Sequence, residues 1–190
     1  MSRALLVINA CFALTVNFYQ WNQKMAQWDT MTRLFDLTRQ MAAEMALGIP
    51  DDQFDHPRGG GNSPKWIIGH LALGMDFGLM LLGQPTAELP AMMPLYGPGS
   101  PGGQVGDDGR SREDLVQHMR TVGDQLKVLV AATSDDVLRQ EQSTPFLSDV
   151  LPTVGDLLGH IYTTHIALHM GQLSQIRREL GLPSLYKFVS

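Results

Sequence analysis

The feature that most limits the fold is the stretch of residues 84–110. It holds Pro85, Pro90, Pro94, Pro98 and Pro101 with several glycines and shows no sustained hydrophobic period. It reads as a long connection inside one domain. A crossover of that length lets the helices on either side lie parallel, as in bundles with long connections.

The flanking segments read as helices with clear punctuation. A first helix runs from near Gln27 to Leu47, with Met31, Leu34, Phe35, Leu37, Met41 and Met45 near helical spacing, and Gly48 and Pro50 stop it. A second opens at Ser63, a natural N-cap, with Pro64 in the first turn where its missing N–H costs nothing, and closes at Gly83. Ser111 and Asp114 resemble a capping box with Asp in place of Glu and start a third helix that runs to about Thr133. Thr153 and Asp156 repeat the pattern behind Pro152, and a fourth helix continues to Leu180 before Gly181 and Pro183. No strand pattern of useful length appears. The expectation is an all-α chain, four helices around one core.

With 190 residues, 44% of them hydrophobic, such a core is affordable in one domain. The formal charge of −5, without a Lys/Arg cluster, leaves no footprint for a phosphate backbone, so nucleic acid is not an expected partner. Cys11 is the one cysteine and cannot form an internal disulfide, which points to a reducing, cytoplasmic setting. Ala4–Val16 is nearly all apolar behind Arg3, yet it lacks an A-x-A cleavage site and is too short to span a bilayer. Residues 1–24 are read as an extension of unclear role, with a targeting signal as the alternative, 25–190 as the domain, and a membrane is not an expected partner.

Histidines are the only plentiful nitrogen ligands. His165 and His169 stand four apart inside the fourth helix, projecting within about 40° of each other, the spacing by which two imidazoles grip one metal. The pair alone also fits two solvated side chains or a shared hydrogen bond. Gln172 falls on the same stripe, whereas His160 points about 140° away on a regular helix. His70 shares a face of the second helix with Trp66, Gly74, Phe77 and Leu81, so it points into the bundle. Alone, it fits a core histidine bonded to a backbone carbonyl or a tyrosine. Three inward histidines on two helices point more strongly to a shared metal.

Two stretches carry a family resemblance. Asn62-Ser63-Pro64-Lys65-Trp66-Ile67-Ile68-Gly69-His70-Leu71 resembles the second-helix motif of the DinB-like, or YfiT-like, metalloenzymes. His165-Ile166-Ala167-Leu168-His169-Met170-Gly171-Gln172-Leu173, followed by Arg177-Arg178 and Gly181, resembles their H-x-x-x-H-x-G-Q closing helix. Gly97-Pro98-Gly99-Ser100 and Leu151-Pro152-Thr153-Val154-Gly155-Asp156 are similar to a bacterial branch of that family. The resemblance covers roughly residues 25–185. It implies a four-helix bundle of up-down-down-up order, metal ligation by His70, His165 and His169, and a homodimer. Some members of that family transfer low-molecular-weight thiols or isomerise thiol adducts.

Neutral imidazoles suit several divalent metals, with zinc or nickel expected here. Three histidines and an open position could activate a thiol for transfer to a small-molecule substrate, or a water for hydrolysis. In the metalloprotease motif H-E-x-x-H a glutamate follows the first histidine, and here that position is Ile166. Gln172 and Tyr162 are the candidate catalytic or substrate-orienting groups, with helix packing the plainer role for both. Arg177 and Arg178 suit the helix C-terminus, and His56 and His118 receive no function. The expectation is a metal-dependent thiol transferase. A metal-dependent hydrolase and a non-catalytic metal- or small-molecule-binding module are the alternatives.

Overall fold

Each long helix after the first begins where a side chain takes up a free backbone N–H. The computed structural model describes residues 28–59, 61–100 and 102–185. The expected extension over residues 1–24, with Cys11, lies outside the described residues. Helix α1 occupies residues 28–47 and is followed by a single turn, α2 (Asp51–Phe54). In α3 (Pro64–Leu81) the Ser63 hydroxyl accepts from the Trp66 N–H at 3.1 Å, and Gly83 closes the end at φ +78°. Helix α5 (Arg112–Ala132) opens with a full capping box, the Ser111 hydroxyl on the Asp114 N–H and the Asp114 carboxylate on the Ser111 N–H. Thr153 and Asp156 form the same box ahead of α7.

The connection over residues 84–110 is more ordered than its prolines suggest. It contains α4 (Leu89–Tyr96), with Pro90 in the first turn and Pro94 inside. Leu89, Met92 and Tyr96 are its buried residues, at spacings of three and four. Eight residues are too few for a hydrophobic period to stand out among the prolines, so this helix was not expected. A second short helix, α6 (Asp135–Leu138), lies in the irregular stretch before the last long helix. That last helix runs without a break through α7 (Val154–His160), a π-helical turn (Ile161–His165) and α8 (Ile166–Glu179). Among the described residues all regular structure is helical, apart from one isolated bridge between Glu141 and Thr153. None of these helices is long and apolar enough to cross a membrane.

Helix α3 sits at the centre. Fourteen of its 18 residues are buried, including Lys65, His70 and Asp76, so each of these polar side chains needs an internal partner. Lys65 Nζ donates to the Gly106 carbonyl at 2.6 Å and pairs with Asp108 at 2.7 Å. Asp108 also accepts from the Tyr96 hydroxyl at 2.7 Å. Burial works to raise the Asp108 pKa, but the bonds from Lys65 and Tyr96 outweigh it and bring the pKa down to about 2. Asp76 accepts from Thr86 at 2.7 Å and meets His118 Nε2 on α5 at 2.7 Å. His118 therefore ties α5 to α3.

Helix α1 is fastened on both sides. Buried Arg39 donates to the Arg120 carbonyl and to Asp124, both on α5. Buried Arg177 donates to the Met45 carbonyl and to the Pro183 carbonyl, each at 3.1 Å, so it joins α8 to α1 rather than serving the helix dipole alone.

Lys65→Met removes one partner of a buried pair and leaves the Asp108 carboxylate under-satisfied. It is expected to lower unfolding stability by about 3 kcal/mol in a urea titration. Arg139→Met, at an exposed pair with Asp135, should leave the midpoint where it is.

Candidate metal centre

The site forms where α3 faces the last helix. His70, His165 and His169 offer ligand nitrogens that all lie within 4.8 Å of one another. Their ring centroids form a near-equilateral triangle with sides of 4.9, 4.7 and 4.8 Å, and the rings meet edge to face. Nε2 of His70 and Nε2 of His165 are 3.0 Å apart. Two nitrogens bound at about 2.0–2.1 Å to one tetrahedral zinc lie about 3.4 Å apart, so only a small spreading separates this triangle from a ligand set.

Two of the three rings are oriented from behind. His70 Nδ1 lies 2.6 Å from the Tyr96 carbonyl oxygen, which can only accept, so Nδ1 carries the proton and Nε2 keeps its lone pair. His169 Nδ1 donates in the same way to Gln172 Oε1 at 2.9 Å. Trp66 lies flat on His70, with centroids 4.4 Å apart and planes 12° apart, and its indole N–H donates to Ser100 at 2.8 Å. Two glycines of α3 make room. A Cβ at Gly69 would overlap the Tyr96 ring, and one at Gly74 would meet His165 Cε1 at 2.9 Å.

The electrostatics favour neutral rings. Burial, then the nearby His169, pushes the His70 pKa down to about 4. Burial and the neighbouring histidines push His165 down to about 2, and burial lowers His169 as well. A divalent metal requires neutral imidazoles with a free lone pair, and Nε2 of His70 and of His169 presents one. The donor set fits zinc, nickel or another first-row ion.

Beside the triangle lies a cavity of about 320 Å³. His70 and His165 form part of its lining, and Leu73, Phe77, Met93, Phe146, Leu157 and Ile161 supply apolar wall. His160 lines it too, with its ring centroid 5.5 Å from that of His165. A regular helix would have turned His160 away. The π-helical turn Ile161–His165 bonds i to i+5, which widens the coil and brings residues five apart onto one face.

The other expected residues fall as follows. Gln172 reaches His169 and is exposed. Tyr162 is not brought to the cavity: it is fully buried, stacked on Phe35 at 4.2 Å and edge-on to Trp28 at 5.6 Å. Its hydroxyl is among the few buried polar side-chain atoms without a partner. Nothing in the spacing marked Tyr96, which acts through a main-chain carbonyl, or Thr144 and Phe146, which sit on an aperiodic loop. Trp66, expected on the same face as His70, stacks on that ring and so helps position it.

The sequence model of the DinB superfamily matches residues 34–173. The chain belongs to the DinB superfamily. That span contains both resembling motifs and all three histidines of the triangle. No curated protein matches the chain. Within this DinB chain, the two helices that carry the motifs are the two that build the triangle.

Two measurements test the centre. Tag-free protein analysed by plasma mass spectrometry is expected to carry about one equivalent of a transition metal, lost in His70→Ala and His165→Ala. The second concerns metal-free protein. Its unfolded chain binds protons near the ordinary histidine pKa of 6.5, while folded His70 does so only near 4. The unfolded state therefore holds more protons between these values, so stability is complete above pH 6.5 and falls as the pH drops through this window. Thermal unfolding of metal-free protein across that range should show the fall, and His165→Gln should shallow it.

Proposed function

We propose that the chain is a metal-dependent enzyme that transfers a low-molecular-weight thiol to a small electrophile. His70, His165 and His169 would hold one divalent metal, zinc or nickel. The observation that carries this reading is the convergence of three imidazoles, two with Nδ1 already engaged, beside a cavity that His70 and His165 help to line. A metal with three protein ligands and an open position lowers the pKa of a bound thiol or water towards neutrality.

The chain's own residues supply the rest. Tyr96 and Gln172 keep two imidazoles in the ligating orientation. Apolar walls limit water, which favours transfer over hydrolysis. Thr144 and His160 are the polar lining groups outside the triangle, within the cavity that a substrate heteroatom would enter. A hydrolytic reading of the same site has less support: no carboxylate among the described residues lines the cavity, and the position after His165 is the buried Ile166. A purely storing or sensing module has no need of a cavity beside its metal. The reading includes an up-down-down-up four-helix bundle, supported by the four long helices and the long connection between α3 and α5, and a homodimer as the working unit.

Metal-loaded protein is expected to accelerate adduct formation between 1-chloro-2,4-dinitrobenzene and at least one member of a thiol panel including cysteine and glutathione. His169→Ala should lose that acceleration. Full metal occupancy with no acceleration for any thiol would overturn the proposal. Metal-dependent turnover of p-nitrophenyl acetate without thiol would replace it with the hydrolytic one.

A further inference from the structure

The cavity beside the triangle has no charged wall among the described residues: none of those that line it is Asp, Glu, Lys or Arg. An ionised group placed inside would lose its hydration without gaining a partner. Phe77 and Phe146 present aromatic surface, and Met93 is an adaptable apolar neighbour. An apolar cavity of roughly 150 Å³ accommodates one benzene. At about 320 Å³ this one has room for a two-ring body, or for one ring with a short substituent.

The wall that carries Phe146 is built rather than incidental. Buried Gln142 donates from Nε2 to the Phe146 carbonyl at 3.0 Å and to the Leu151 carbonyl at 2.7 Å. Its Oε1 accepts from the Thr144 hydroxyl at 2.5 Å. One side chain thus clamps both ends of a loop. The next residue, Leu147, has φ +53°, the one positive value at a non-glycine position among the described residues. Such a conformation is unfavourable for a residue with a Cβ and persists where its surroundings over-determine it. Here the Gln142 clamp supplies that constraint, and the loop holds Thr144, Pro145 and Phe146 in the cavity lining.

We propose that this cavity binds an uncharged aromatic molecule of one or two rings, with the Gln142-clamped loop setting the size accepted and Thr144 and His160 placing the molecule's single polar group. The proposal deepens the functional reading above and rests on it for the chemistry: the aromatic molecule carries a halide or similar leaving group, the thiol sulfur approaches from outside the apolar walls and bonds to the ring carbon, the leaving group departs with its bonding electron pair, and the thiol proton passes to solvent.

The test is binding, measured by calorimetry on the full chain, metal-free and metal-loaded. The probes are 2-naphthol and naphthalene-2-sulfonate, which share a ring system and differ in charge. The expected result is that 2-naphthol binds at least about tenfold more tightly than the sulfonate, even without metal. Phe146→Ala, at a side chain already 42% exposed and so tolerated by the fold, should weaken 2-naphthol at least about fivefold. Met93→Lys places a cation in the lining and should reverse the preference. Equal or tighter binding of the sulfonate to the unaltered protein would overturn the proposal. So would absence of 2-naphthol binding, or 2-naphthol binding indifferent to both substitutions. Metal content measured on the same samples separates the two claims. Selective 2-naphthol binding by protein that takes up no metal defeats the enzyme reading and leaves the cavity assignment standing. Metal uptake without selectivity does the reverse.

Discussion

The fold hangs on the enclosure of one helix. Because α3 is buried on nearly all sides, Lys65, His70 and Asp76 are largely cut off from water, and each needs a partner on another segment. Lys65 reaches Asp108, His70 reaches the Tyr96 carbonyl, and Asp76 reaches Thr86 and His118. The first two fasten the proline-rich connection along one side of α3. The third joins α3 to α5 and to the start of that connection. The partners needed by three buried groups thus decide where a segment with little periodicity of its own comes to rest.

The candidate centre inherits its geometry from these attachments. Tyr96 belongs to two bonds at once, its hydroxyl on Asp108 and its carbonyl on His70, so the ion pair at Lys65 and the orientation of His70 share one residue. A histidine bonded to a backbone carbonyl is what an ordinary core histidine looks like. The same bond is also what a metal ligand requires, since it commits Nδ1 and leaves Nε2 bare. What separates the two roles is the pair of further rings held at the same distance, His165 and His169.

The surroundings of that triangle shape its chemistry as much as the ligands do. The described walls carry no charged side chain, so an ionised group inside would find no ionic partner there, and burial opposes protonation of the rings. The π-helical turn matters here: one wide turn in the last helix adds His160 to the cavity lining without disturbing the His165–His169 spacing.

Much of this was written in the sequence, because it is local. The caps at Ser63, Ser111 and Thr153 need only residues three apart, and the His165–His169 pair needs only the pitch of a helix. The inward face of His70 follows from its apolar neighbours one and two turns away. The position of His160 could not be read, because a π-helical turn changes the angular step and leaves no periodic signature. Helix α4, Tyr96 as a carbonyl donor of position, and the Gln142 clamp on Phe146 were equally silent. Each depends on which backbone group lies across from a side chain many residues away, and hydrophobic period and cap spacing carry no information about that. The sequence alone determined the long helices and the three histidines. Tertiary packing decided which groups surround them, because only a folded chain forces its buried donors and acceptors to find one another.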